Sequence, residues 1–154
     1  MNEKNYEAII EAILFTMGES VELDKIAAAI ELDKKETKAI IEKIRQAKRP
    51  VINAGNGIRL AGAHETFLKV AEKLGIPVVT GWDSEACIWD EHPLYVGRGG
   101  NMGDRPGNFA IQNSDLVLSI GSRLSIRQVG YNYKTWARAA YVIVNDIDEE
   151  ELKK

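Results

Sequence analysis

Four short runs of apolar residues set the tightest limit on what this chain can fold into. They are P-V-I-N-A (50–54), I-P-V-V-T (76–80), L-V-L-S-I (116–120) and Y-V-I-V-N-D (141–146), and none alternates apolar with polar. A strand with one wet face reads with period two, whereas an unalternating run is covered on both faces. That is the signature of a parallel sheet whose crossover connections lay helices on each side. Between the first two runs, residues 63–74 have helical spacing, with Phe67, Leu68, Ala71 and Leu74 on one face and Gly75 placed to end the helix. Leu94 to Val96 reads as a brief further strand, and Asn108 to Gln112 as a helix after the turn-rich G-R-G-G-N-M-G-D-R-P-G-N. Residues 47–154 are therefore expected to form an α/β, Rossmann-like parallel sheet.

Upstream the rhythm is helical. Tyr6, Ile9, Ile10, Ile13, Leu14 and Met17 make an apolar stripe closed by Gly18, and Leu23, Ile26, Ala27 and Ile30 mark a second, short helix. A third begins at Asp33, a plausible N-cap with Glu36 three residues on, and repeats Thr37, Ile40, Ile41 and Ile44 on one face. Arg45 and Lys48 suit its C-terminal dipole, and Pro50 forbids continuation. The expected organisation is a three-helix segment over 1–46 in which helices two and three stand in a helix-turn-helix relation. A shared junction helix spans 34–48, and the sheet domain covers 47–154. Three helices are too small a unit to be stable alone, so the segment should pack on the following domain or on a copy of itself.

Composition narrows the function classes. At 154 residues with 45% hydrophobic and 28% charged side chains, the chain has the balance of a soluble globular protein. No apolar run approaches the roughly 20 residues needed to cross a bilayer, and the acidic start M-N-E-K-N-Y-E is not a signal peptide. A cytoplasmic location with no membrane partner is the expectation. Residues 1–46 hold 7 basic and 10 acidic side chains and the rest hold 13 of each, which argues against nucleic acid as a partner. Cys87 is the single cysteine, with no C-x-x-C or H-E-x-x-H, so neither a disulfide nor a metal site is signalled. Cys87 reads as a packed small side chain rather than a nucleophile. His64 and His92 have no paired ligand and read as surface or hydrogen-bonding residues, and Trp82, Trp89 and Trp136 as packing residues or as contacts to other domains.

In an open parallel sheet, ligands sit beyond the carboxyl ends of the strands. Those ends are Gly55-Asn56-Gly57-Ile58-Arg59, the stretch Gly97 to Arg105, Gly121-Ser122-Arg123, and Asp146-Ile147-Asp148. Glycine lets a backbone approach a phosphate, arginine can grip a pyrophosphate in two places, and a strand-end aspartate can accept from a ribose hydroxyl. The same loops also serve as the turn chemistry that the fold requires, and Arg59, Arg123 and Arg127 are as ready to pair with Asp83, Asp104 or Asp146 as with phosphate. The first loop is not G-x-G-x-x-G, so a hydride-transferring nicotinamide site is not supported.

Two resemblances complete the reading. The stretch E-A-I-L-F-T-M-G-E-S-V-E-L-D-K-I-A-A-A-I-E-L-D-K-K-E-T-K-A-I-I-E-K-I resembles the start of segregation and condensation protein B, over residues 1 to about 46. That family opens with a winged-helix domain, whereas here the third helix runs into A-K-R-P-V-I-N-A-G and no wing follows. The motifs K-R-P-V-I-N-A-G-N-G-I-R, E-K-L-G-I-P-V-V-T, H-P-L-Y-V-G-R-G-G-N-M-G-D-R, N-S-D-L-V-L-S-I-G-S-R-L, R-Q-V-G-Y-N and V-N-D-I-D resemble the central domain of thiamine-diphosphate-dependent enzymes, close to acetolactate synthase, over about 37–154. The second resemblance implies a Rossmann-like domain that binds FAD or ADP in some members and nothing in others. It maps dinucleotide contacts onto Gly55, Asn56, Gly57, Arg59, Asn101, Met102, Gly103, Gly121, Ser122, Arg123, Arg127, Asp146 and Asp148.

The acetolactate synthase pattern tends to place acidic residues where Ser125 and Ile126 stand, which counts against flavin. The family's catalytic glutamate and its metal-diphosphate motif belong to other domains, so the resemblance implies no catalytic residue, no metal and no thiamine diphosphate here. The expectation is a non-catalytic structural domain, a recombined or engineered chimera, or a natural fusion of the same two parts. An FAD- or ADP-binding module is the first alternative and a DNA-associated adaptor the second. The family pattern continues after D-I-D into a further strand, so an unpaired sheet edge, and with it a dimer, is expected.

Overall fold

The computed structural model describes residues 23–152, so the expected helix over Tyr6 to Met17 lies outside the described residues. Helix α1 (Leu23–Ala29) buries Ile26 and Ala27, and helix α2 (Lys34–Gln46) packs against it. The start of α2 is fixed as its sequence suggests: Asp33 Oδ1 accepts from Glu36 N–H at 2.8 Å, and the Thr37 hydroxyl donates back to Asp33 O at 2.8 Å. The helix runs unbroken and stops before Pro50, whose ring cannot continue it. Thr37 and Ile44 are buried, with Ile40 and Ile41 half-buried beside them.

Five strands follow: β1 (Pro50–Ala54), β2 (Val78–Thr80), β3 (Tyr95–Arg98), β4 (Leu116–Ile120) and β5 (Tyr141–Asn145). They form one parallel sheet in the order β3-β2-β1-β4-β5. The unalternating runs are explained by its two covered faces. Ile52, Ala54, Val78, Leu118 and Ile120 point to one side, where Phe67 and Ala71 of α4 (His64–Leu74) cover them. Val51, Val79 and Val117 point to the other, against Ile111 of α5 (Arg105–Asn113) and Ala137. Gly75 ends α4 in the left-handed conformation at φ 62°, its N–H donating to Ala71 O and Glu72 O.

Several boundaries differ from expectation, each for a local reason. The third strand lies at Tyr95–Arg98 rather than Leu94–Val96, with Leu94 O accepting from Val78 N–H to set Tyr95 opposite Val78. Helix α5 starts at Arg105, three residues before Asn108, since Pro106 in its first turn needs no hydrogen-bond acceptor. The glycine loop after β1 winds into a four-residue helix, α3 (Gly57–Leu60). Helix α6 (Ile126–Val129) and helix α7 (Glu149–Leu152) form where the sequence carries no periodic signal. No helix among the described residues is long and apolar enough to cross a membrane.

One carboxylate ties the sheet's entry together. Asp115 accepts from Lys48 N–H and Arg49 N–H at 2.8 Å each, while its own N–H donates to Arg49 O and its O accepts from Tyr141 N–H. The starts of β1, β4 and β5 are thus held at one residue. Burial alone would raise the Asp115 carboxyl, but the Arg49 and Lys48 N–H donors prevail and hold it below the ordinary carboxylate range. A lowered folded pKa gives stability that is present above the unfolded value, near about 3.9, and is lost as pH falls through the folded value. Asp115→Ala is therefore expected to cost about 1 kcal/mol at pH 7. The gap to the parent should narrow as pH drops below about 4, which urea denaturation at neutral and acid pH would read.

Candidate functional site

The strand order reverses between β1 and β4, and there the two strand-end loops diverge to leave a crevice. Ahead of the crevice the loops are pressed backbone to backbone. Gly55 N–H donates to Ile120 O at 2.9 Å, Gly57 N–H to Gly121 O at 3.0 Å, and Gly121 N–H to Asn145 O at 2.9 Å. A Cβ on Gly55 would fall 2.1 Å from Gly121 O, and one on Gly57 2.8 Å from it. Only glycine permits this approach. The amides that a phosphate cradle would need at Gly55, Gly57 and Gly121 are thereby taken by main-chain carbonyls.

The crevice opens into a cleft of about 320 Å³, at the low end of the size range of small-molecule sites. Of the residues read from sequence, Gly55, Asn56, Asn101, Met102, Gly121, Ser122, Arg123 and Arg127 line it together. Five do not. Gly57 sits behind, against Gly121. Arg59 turns aside to donate from Nη1 to Ala86 O at 2.7 Å. Gly103 packs on Arg98 O, and its N–H donates to Gly100 O. Asp146 accepts from Asp148 N–H, and Asp148 in turn accepts from Glu150 N–H to open α7. The wall supplied by Gly81, Trp82 and Asp83 after β2, with Leu60, Leu124, Ser125 and Gln128, is not among the contacts that the sequence suggests, whereas Gly99 falls within the strand-end stretch Gly97 to Arg105. The β2 contribution had a signal, because T-G-W-D also follows a strand's carboxyl end.

Beneath the cleft runs a chain of side-chain hydrogen bonds. Asn53, fully buried on β1, donates to Ser119 Oγ at 3.0 Å and accepts from Gln128 Nε2, while Ser122 Oγ donates to Gln128 Oε1 at 2.9 Å. The buried Asn53 amide and the half-buried Gln128 amide are thereby both partnered, and together they brace the floor. The far wall is fixed by ions. Arg98 N–H and guanidinium reach Asp104, and Arg98 Nη1 lies 2.7 Å from Glu85 Oε1. The Arg98 backbone N–H and then its side chain hold the Asp104 carboxyl below the ordinary range. Asn101 N–H donates to Arg127 O at 2.9 Å and docks this loop on α6.

The expected pairings of arginine with Asp83, Asp104 or Asp146 give way to others. Arg123 Nε meets Glu151 Oε1 at 2.9 Å, Arg98 takes Asp104, and Arg127 lies over the Trp82 ring, 5.2 Å from its centroid. Trp82 and Trp89 are half-exposed at 51% and 52% rather than packed inside, and Trp136 is partly buried against Val117 and Ile111. His92 is buried, its Nδ1 accepting from Leu94 N–H and its Nε2 lying 3.3 Å from Glu72. His64 Nε2 is 3.0 Å from Cys87 O. Burial pushes the Cys87 thiol up to about 11, and Sγ lies 3.4 Å from Gly55 O, so the thiol is packed and protonated at neutral pH.

Gly55→Ala is expected to lower stability by about 3 kcal/mol, because the new methyl meets backbone that cannot move aside. Guanidinium denaturation of the variant, with circular dichroism to confirm the fold, would show it.

Comparisons with known proteins fit this geometry. The model of the thiamine pyrophosphate enzyme central domain matches residues 37–154. A probable acetolactate synthase large subunit from Methanococcus aeolicus is 42% identical over 120 residues, which is 78% of this chain and 20% of that protein. The acetolactate synthase large subunit of Corynebacterium glutamicum is 39% identical over 114 residues, 74% of this chain and 18% of its own length. A sulfoacetaldehyde acetyltransferase from Alcaligenes xylosoxydans xylosoxydans is 35% identical over 118 residues, 74% of this chain and 19% of that protein. The chain thus spans about a fifth of the length of these curated relatives.

Proposed function

We propose a function from one premise, that the chain belongs to the family of thiamine pyrophosphate enzyme central domains and is of the acetolactate synthase-like kind. On that premise this domain is a non-catalytic, structural one. The observation that carries the reading is the chemistry of the cleft. Its ionisable side chains are Asp83, Arg123 and Arg127, and its hydroxyls are Ser122 and Ser125. Ser122 Oγ donates to a glutamine oxygen, not to a base. The imidazoles and the thiol lie elsewhere, each bonded to structure. A nucleophile without an adjacent base, and a base without a substrate cleft, do not make a catalytic pair. Thiamine diphosphate with its divalent metal does not fit here either. Among the described residues no group of three or more His, Cys, Asp or Glu could hold a metal ion, and the cleft offers one carboxylate.

A second reading, an ADP- or FAD-binding module, is favoured by the place of the cleft at the switch point and by its two arginines. With the loop amides engaged, Arg123 and Arg127 would meet the diphosphate by side chain alone, and the half-exposed Trp82 would offer a ring face at the mouth. The helical segment over 1–46 is, in the same proposal, a fused part related to segregation and condensation protein B. The unbroken α2 across residue 37, where the family match begins, supports a join within one helix.

Two measurements separate these readings. With pyruvate, thiamine diphosphate and magnesium the purified chain is expected to form no acetolactate, and measurable turnover would overturn the non-catalytic reading. In thermal melting against ADP and FAD, a purely structural domain shows no shift at millimolar ligand. A nucleotide module shows a saturable stabilisation, about 2.7 kcal/mol at a hundredfold excess over Kd, that Arg127→Ala removes.

A further inference from the structure

Asn56–Gly57 is the one Asn-Gly pair in the sequence, and it sits inside the glycine seat. Asn-Gly is the dipeptide at which an asparagine amide is lost most readily, by an intramolecular route. The Gly57 nitrogen, having given its proton to hydroxide, attacks Asn56 Cγ. The Cγ–Nδ2 bond breaks, ammonia leaves and a five-membered succinimide closes. Water then opens the ring at either carbonyl to give aspartate or isoaspartate, so one water is consumed, one ammonia is released and nothing is oxidised or reduced. Glycine speeds the attack because no Cβ shields its nitrogen.

The fold closes this route at two points. Gly57 N–H donates to Gly121 O at 3.0 Å, which withholds its proton from hydroxide. Ring closure also requires the Asn56 Cβ to eclipse the Gly57 nitrogen across the Cα–C bond. At ψ −19° it is the Asn56 backbone nitrogen that nearly eclipses it instead. That angle is held from both sides: Asn56 O accepts from Arg59 N–H at 3.0 Å and Leu60 N–H at 3.1 Å, and Gly57 is pressed on Gly121.

We propose that Asn56 is a deamidation site which the glycine seat keeps closed, and that its isoaspartyl product cannot re-form the seat. In isoaspartate the main chain runs through Cβ and Cγ, which adds one carbon between Asn56 Cα and the Gly57 nitrogen. The seat has no slack for it, since a carbon added on Gly57 would fall 2.8 Å from Gly121 O and 2.9 Å from Gly121 Cα. The carbonyl that accepted from Arg59 and Leu60 leaves the main chain as a free carboxylate, so the first turn of α3 loses its acceptor. The aspartyl product keeps the backbone and adds a second carboxylate to the cleft, beside Asp83 and across from Arg123 and Arg127. Each opening of the seat therefore carries a chance of a change that refolding does not undo.

Peptide mass spectrometry on the 154-residue chain, incubated at mildly alkaline pH with and without urea, tests this. Conversion at Asn56 is expected to be roughly tenfold or more slower in the native chain than in the unfolded one, and to rise with urea in step with the unfolded fraction. In urea, Asn56→Gln should abolish it, which assigns the site without requiring that variant to fold. After the urea is removed, aspartyl chains should regain the native circular dichroism and isoaspartyl chains should not. No conversion even in urea, a native rate within tenfold of the unfolded one, or an isoaspartyl chain that refolds with the parent's stability would overturn the proposal.

Discussion

The contact on which the rest of this domain depends is the close approach of two main chains at the switch point. Gly55 and Gly57 lie against Gly121 with no room for a Cβ, and three N–H groups of these loops are satisfied by carbonyls of neighbouring strand ends. This seat fixes the angle at which α3 leaves β1 and the height at which the chain leaves β4, and so sets the mouth of the cleft. It also decides the cleft's chemistry. In a phosphate cradle, glycine brings free amides to the ligand. Here glycine brings backbone to backbone, and the cleft beside it is lined by the side chains of Arg123, Arg127 and Trp82.

Around that seat the polar groups are arranged to hold position. The Asn53, Ser119, Gln128 and Ser122 network braces the cleft floor, the Arg98 ion pairs brace one wall, and Asp115 clamps the opposite end of the sheet. In each case the side chain is matched to a partner that stays put, and none is left as a poised acid, base or nucleophile. Thr80 Oγ1 is buried without a hydrogen-bond partner, and the structure offers no physical account of it.

Much of this was legible in the chain because it rests on local rules. The runs at 50–54 and 116–120 correspond residue for residue to β1 and β4, since an unalternating apolar run has one favourable place in a two-sided parallel sheet. Asp33 as cap and Gly75 as helix stop follow from backbone chemistry alone. What escaped depends on three dimensions. That Arg59 would bond Ala86 O, or Arg123 meet Glu151, requires knowing which loops face each other across 27 or 28 residues of sequence. The short helices α3, α6 and α7 lack the length for a periodic signal, and Trp82 carries no mark that distinguishes a packed ring from a wall at a cleft mouth.

The claim that the glycine loops are a structural seat is tested most directly by native-state hydrogen exchange of Gly55, Gly57 and Gly121. These amides are expected to be protected as strongly as those in the middle of β1 and β4, opening only when the whole sheet unfolds. Rapid exchange of all three, beside protected strands, would mean that the loops stand open as free donors and would contradict it.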